Sequence, residues 1–226
     1  MLTEHVPGMW YSGPMAELSG LRAIPELFAA RSADPVLRSA IDVRSPEALS
    51  APHLAAYRTE LDRPPAVLEC DMRELEMRQR KCLDGPVKPG TEPLVLPGEG
   101  LLGVWSRDPQ VLAIAAAVSV AFGTQCPISG DFFYPSGGLR EWHSNKWDTA
   151  GWRMYAIHTP APGGSFFRAW DPSRSELPTS WDVPGLANFF RIDPGAPLYH
   201  CVGALTTWRW SLGFVIPGDW AARLGV

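Results

Sequence analysis

The period of the hydrophobic pattern changes near Gly123. Upstream, apolar positions recur at helical spacing in blocks cut by proline and glycine, which predicts helices over 16–30, 35–41 and 65–79. Residues 71–81 are densely charged, as expected of a helix face turned to water. Prolines and glycines across 85–100 predict a loop. Asp108-Pro109 reads as an N-cap followed by proline at the first helical position, opening a helix that runs through Phe122. From 124 onward the apolar runs become short and aromatic or β-branched: 132–134, 152–158, 165–170, 188–192, 198–202 and 206–216. Turn clusters separate them, including Pro135-Ser136-Gly137-Gly138, Pro160-Ala161-Pro162-Gly163-Gly164 and Asp193-Pro194-Gly195. This pattern predicts a mostly β protein with flanking helices, built as a sandwich or jelly roll. The expected organisation is a single domain over 1–226. Its helical and loop part, 1–123, would pack on a jelly-roll core over 124–217.

Composition narrows the function. A chain of 226 residues can bury a substantial core without staples. Its net charge of −4 argues against a broad nucleic-acid surface, which needs a basic stripe. No run approaches the roughly 18 apolar residues of a membrane span, and the start Met1-Leu2-Thr3-Glu4-His5 lacks the features of a signal peptide. Cys70, Cys82, Cys126 and Cys201 have no metal-type spacing, so reduced thiols and a cytoplasmic location are expected. There is no Gly-x-Ser-x-Gly elbow, phosphate loop or Rossmann fingerprint. Eight of the ten tryptophans lie between Trp142 and Trp220, which places an aromatic-rich interior in the second half.

Candidate chemistry sits in that half. His143 follows a glycine turn near a strand end, and His200 lies in a later strand. Two neutral imidazoles on strands that can meet are two thirds of a non-haem iron site. Arg209, nine residues after His200, would serve as a carboxylate clamp, and Ser211 alternates onto the same strand face. Arg153, if it faces the interior, needs an anionic partner, either a substrate carboxylate or Asp148. Arg140 and Glu141 read as a solvated edge, and His158 as a strand-end residue. His5 and His53 lie in loop-like surroundings and carry no expected role. Trp142, Trp147, Trp152 and Trp170 read first as core.

These residues carry a family resemblance. The block from Phe133 to Pro217 resembles the iron(II)/2-oxoglutarate-dependent oxygenases, in particular the prolyl-hydroxylase-like branch. The shared pieces are the tyrosine–glycine approach to His143, the strand Arg153-Met154-Tyr155-Ala156-Ile157, Gly163-Gly164-Ser165-Phe166-Phe167, His200, and Arg209-x-Ser211. The resemblance implies a double-stranded β-helix (a cupin-like jelly roll) with iron(II) on His143 and His200. It also implies 2-oxoglutarate on Arg209 and Ser211, with Tyr155 as a further hydroxyl, and molecular oxygen as a reactant. The substrate would be a small molecule or a peptide-derived natural product, oxidised most simply by hydroxylation. The departure is Asn145, where the family has an acid. Three readings stay open: Asn145 ligates, Asp148 or water supplies the third ligand, or no catalytic metal binds. The rivals are a jelly roll that only binds its ligand and an iron oxygenase that does not use 2-oxoglutarate.

Overall fold

The computed structural model describes residues 1–50, 54–83, 92–96 and 99–226, with only the backbone for 81–83. His53, the Cys82 side chain and most of the loop expected over 85–100 lie outside the described residues. The chain opens with strands β1 (Thr3–Val6) and β2 (Trp10–Pro14) and a 3-10 turn, Met15–Glu17. Helices α1 (Ile24–Ser32), α2 (Pro35–Leu49), α3 (Leu54–Glu60) and α4 (Val67–Leu83) follow, then the short strands β3 (Leu94–Val95) and β4 (Leu102–Gly103) and helix α5 (Pro109–Phe122). Seven strands come next: β5 (Ile128–Tyr134), β6 (Leu139–His143), β7 (Gly151–His158), β8 (Ser165–Ala169), β9 (Thr179–Trp181), β10 (Leu186–Ile192) and β11 (His200–Ala204). Strand β12 (Arg209–Ile216) and helix α6 (Trp220–Leu224) complete the chain.

Two antiparallel sheets form the body. The larger runs β1-β2-β10-β7-β12-β5-β4-β3, and the smaller runs β6-β11-β8-β9. Within them the orders 10-7-12-5 and 6-11-8-9 define a jelly roll, because the chain winds from sheet to sheet as it passes from β5 to β12. Side-chain alternation divides three apolar layers. Between the sheets lie Phe132, Phe167, Phe190 and Val202. Behind the larger sheet, Trp210, Leu212 and Phe214 of β12 and Met154 and Ala156 of β7 pack on Phe28 of α1 and Ile114, Val118 and Phe122 of α5. Behind the smaller sheet, Leu139 and Trp142 meet Leu54 of α3 and Cys70 of α4. Strand β12 is therefore buried on both faces, which is why it reads as an almost continuous apolar run.

The helix expected over 16–30 begins only at Ile24, because Gly20 takes a left-handed turn at φ +79° and Pro25 fits the first helical turn. Helix α2 outruns the expected 35–41: Pro46 lacks only one donor, and three more residues follow it before Ser50 caps the end. Helix α5 matches its expectation, with Asp108 accepting from Val111 N at 2.8 Å and Gly123 left-handed at the C-terminus. Strands β1, β2 and β9 and helix α3 had no clear pattern; all are short, and β1 and β9 are edge strands with exposed positions. Among the described residues no helix is long and apolar enough to cross a membrane.

Candidate functional site

The candidate site is a small cavity between the sheets, about 20 Å³ in volume, lined by both histidines, Asn145, Tyr134, Tyr155, Arg140, Arg209, Ser211 and the apolar Phe167, Phe190 and Val202. His143 and His200 are direct cross-strand partners on β6 and β11, with ring centroids 4.1 Å apart. Each ring is fixed from behind. His143 Nδ1 lies 2.7 Å from the Glu141 carbonyl and His200 Nδ1 lies 2.9 Å from the Leu198 carbonyl. A carbonyl only accepts, so Nδ1 carries the proton in both rings and Nε2 presents its lone pair, the tautomer a metal ligand needs. Burial pushes the His200 pKa down to about 3, and the Arg140 charge pushes the same way, so this imidazole is neutral across the physiological range.

Asn145 occupies a left-handed conformation (φ 55°), which asparagine tolerates better than most residues. Its carboxamide nitrogen stands 3.4 Å from His200 Nε2. Turning the amide over would put its oxygen in the same place. Adjacent donors on one octahedral ion stand about 3 Å apart, so the distance between the carboxamide and His200 is close to that between two such donors. Among the described residues no three His, Cys, Asp or Glu side chains are placed to hold a metal ion together. The residues present thus fit a metal ion held by two imidazoles and a neutral carboxamide, without a protein carboxylate. Asp148 stands outside the cavity, its carboxylate paired with Arg78 of α4.

At the far end, Arg209 is 1% exposed. Its Nε donates to Asp182 Oδ2 at 2.7 Å, and Ser165 Oγ donates to the same oxygen at 2.7 Å. Among the described residues, the buried Arg209 Nη1 has no hydrogen-bond partner. Asp182 thus holds the guanidinium from the Nε side and leaves an orphaned donor that a carboxylate would satisfy. Ser211, two residues on, shares the inward face. Tyr155 reaches the cavity because its ring lies over glycine. Gly213 faces it across β12 and β7, Gly130 faces Gly213 across β12 and β5, and a Cβ on Gly130 would meet the Tyr155 hydroxyl at 2.9 Å.

Arg153 is not brought into the cavity. It shares the inward face of β7 with Tyr155, yet its guanidinium is spent on the carbonyls of Thr149 (2.6 Å) and Trp152 (3.1 Å) near the start of the strand. The protein-side partner expected for it is not in place: Asp148 is paired with Arg78, and Arg153 makes no carboxylate contact among the described residues. Burial lowers its pKa, the sign of a cation without an anion.

Arg140 and Glu141 correct the expectation of a solvated edge. Between His143/His200 and Arg140/Val202 strand β6 advances three residues while β11 advances two. This bulge puts His143 and Arg140 on the same face, although an odd spacing would otherwise separate them. Glu141 and Trp142 turn outward, where Glu141 pairs with Arg73 at 3.3 Å and Trp142 Nε1 donates to the Glu60 carbonyl at 3.0 Å. His158 turns to the helical side, against Phe28 and Trp208. Tyr134 and Asp182 were also missed. Tyr134 had a signal, since it alternates with Phe132 and faces Arg209 in register; Asp182, on the turn after β9, had none.

No protein-family model and no curated protein sequence matches the chain. Similar solved structures include an oxidoreductase of the 2OG-Fe(II) oxygenase family from Burkholderia pseudomallei (15% identity, 48% of this chain and 50% of that one, TM-score 0.32). They also include a Pseudomonas putida prolyl-4-hydroxylase (15% identity, 73% and 99%, TM-score 0.36) and AviO1 from Streptomyces viridochromogenes Tue57 (12% identity, 75% and 87%, TM-score 0.34). The chain spans half the length of the first of these.

Proposed function

We propose that this chain is an iron(II)- and 2-oxoglutarate-dependent oxygenase with an altered metal site of His143, His200 and the Asn145 carboxamide. The observation that carries the reading is convergence. Residues from β6, β7, β11, β12 and the turn after β6 meet in one cavity, with two imidazole Nε2 atoms at one end and, at the other, a guanidinium donor that lacks a partner among the described residues. Iron(II) bound there would supply oxygen activation coupled to decarboxylation of the keto acid, giving succinate, carbon dioxide and an oxidised product, most simply a hydroxylated one. The chain's own groups do the rest. The Glu141 and Leu198 carbonyls keep each Nδ1 protonated and each ring oriented. Arg209 receives the distal carboxylate of 2-oxoglutarate, with the hydroxyls of Ser211 and Tyr155 beside it. Phe167, Phe190 and Val202 exclude water along the cavity. The site suits a small-molecule or peptide-derived substrate, with Arg153 near the strand start as a candidate contact to it. Buried free thiols at Cys70, Cys126 and Cys201 fit a reducing compartment, and we assign the cytoplasm.

The test is anaerobic titration of the metal-free protein with iron(II) and 2-oxoglutarate, followed by the visible charge-transfer band of the chelate. A band that Arg209→Ala loses at the same keto-acid concentration supports the assignment. Iron binding without a band refutes the cosubstrate, and no iron binding refutes the metal site. The neutral third donor favours one rival, a jelly roll that binds the keto acid without turnover. That rival predicts the band but no oxygen uptake with any substrate.

A further inference from the structure

The cavity holds a second guanidinium that the resemblance does not assign. Arg140, its side chain only 13% exposed, lines the cavity from the smaller sheet, while the buried Arg209 lines it from the larger. The β6 bulge is what turns Arg140 inward, beside His143. Arg140 lies opposite Val202, two residues along β11 from His200, or about 7 Å at the usual strand rise. This carries it away from the imidazoles along the cavity. Its guanidinium carbon sits 5.6 Å from the Phe132 ring, and that of Arg209 sits 5.2 Å from the Tyr134 ring. Phe132 and Tyr134 are alternate inward residues of β5, so the two cations stand over neighbouring positions of one strand. The fields of both act on the buried Tyr134 hydroxyl. Each has a buried carboxylate on its Nε side: Asp182 accepts a hydrogen bond from Arg209 Nε at 2.7 Å, and Glu99 stands 3.4 Å from Arg140 Nε as an ion pair without that hydrogen bond. A carboxylate placed at Nε neutralises and orients a guanidinium while leaving its Nη groups for a ligand.

We propose that Arg140 and Arg209 form a two-sided clamp, one guanidinium from each sheet, on the carboxylate of a dicarboxylic keto acid that points away from the histidines. Arg140 is then a specificity residue: it makes binding depend on the second carboxylate and excludes monocarboxylic keto acids. This rests on the proposed cosubstrate site, and the experiment separates the two.

Calorimetric titration with manganese(II) present compares 2-oxoglutarate with 2-oxobutanoate, which lacks the distal carboxylate. Arg140→Gln should weaken 2-oxoglutarate binding about 10- to 100-fold, the range of one charge-assisted contact, and change 2-oxobutanoate binding little. Because Arg140→Gln strands the buried Glu99, the double variant Arg140→Gln/Glu99→Gln removes both charges and should show the same loss. A third measurement leaves Arg140 untouched: Arg209→Gln should keep part of its preference for the dicarboxylate. Full 2-oxoglutarate affinity in the Arg140 variants, with loss in Arg209→Gln, overturns the clamp and leaves the cosubstrate site standing. Complete loss of discrimination in Arg209→Gln also overturns it. A wild-type protein that binds neither keto acid overturns both proposals.

Discussion

Gly213→Ala tests how the cavity is shaped. A Cβ at Gly213 would stand 2.6 Å and 2.8 Å from two ring carbons of Tyr155, whereas ordinary contact begins at 3.4 Å. Tyr155 Cζ lies nearer still, so the ring would have to retreat by about 1 Å or rotate out. It cannot retreat freely, because Phe190 stacks on it with centroids 5.4 Å apart. Forcing one methyl into a packed place costs about 1–3 kcal/mol. At about 2–4 °C per kcal/mol for a chain of this size, the melting temperature should fall by about 2–12 °C. The displaced hydroxyl would also lose its contact to the keto acid, so the Kd for 2-oxoglutarate should rise about 3- to 10-fold. Thermal melts and calorimetry read both numbers. The sharper assay is a double-mutant cycle with Tyr155→Ala, in which removing the ring relieves the clash. Coupling of about 1 kcal/mol or more is expected. An additive cycle, or a melting temperature within about 1 °C of wild type, would refute the glycine-trough reasoning.

Asn145→Asp should tighten manganese(II) about 10- to 100-fold, since aspartate also tolerates the left-handed backbone and adds a charge beside His200. Unchanged affinity by metal titration would mean that this side chain does not reach the ion. Asp182→Asn leaves the Arg209 charge buried without its partner, a loss of about 3–5 kcal/mol, or roughly 6–20 °C in melting temperature. Added 2-oxoglutarate should then raise the melting temperature more than in wild type, and equal increments would contradict the pairing. Burial pushes the Cys70 thiol up to about 12 and the Cys201 thiol well above its ordinary value. At pH 8 Cys70 should alkylate about 1000-fold more slowly in the folded protein than in urea, and Cys201 also more slowly; peptide mapping that finds equal labelling would disprove it.

The sequence showed the parts of the site that repeat a local rule. Arg209 and Ser211 share a face because strands alternate, and His143 and His200 stood out by residue type and order. What stayed hidden depends on contacts far along the chain or on a local break in the rule. Asp182 pairs with Arg209 across 27 residues and carries no pattern of its own. Arg140 looked like an edge residue because strict alternation sends it away from His143, and only the extra residue in β6 reverses that. Asp148 is close to the metal motif in sequence but is drawn off by Arg78, 70 positions earlier. Helix ends were legible where a cap named them, as at Asp108 and Gly123, and illegible where proline and glycine overruled periodicity, as before Ile24.

Glu74 of α4 is 3% exposed, and its Oε2 accepts from both the backbone nitrogen (3.1 Å) and the hydroxyl (3.0 Å) of Ser144. Ser144 sits between His143 and Asn145. The helix whose other side is charged and wet therefore grips the segment that presents two donors. The helical half is not a coat that can be excised to leave a self-sufficient barrel. A fragment beginning at 124 would keep every strand from β5 to β12 and lose the anchor of the turn that makes the cavity worth having. Substitutions at positions 74 and 144 are bound to each other's fate across 70 residues, and a change at either should survive only with an answering change at the other.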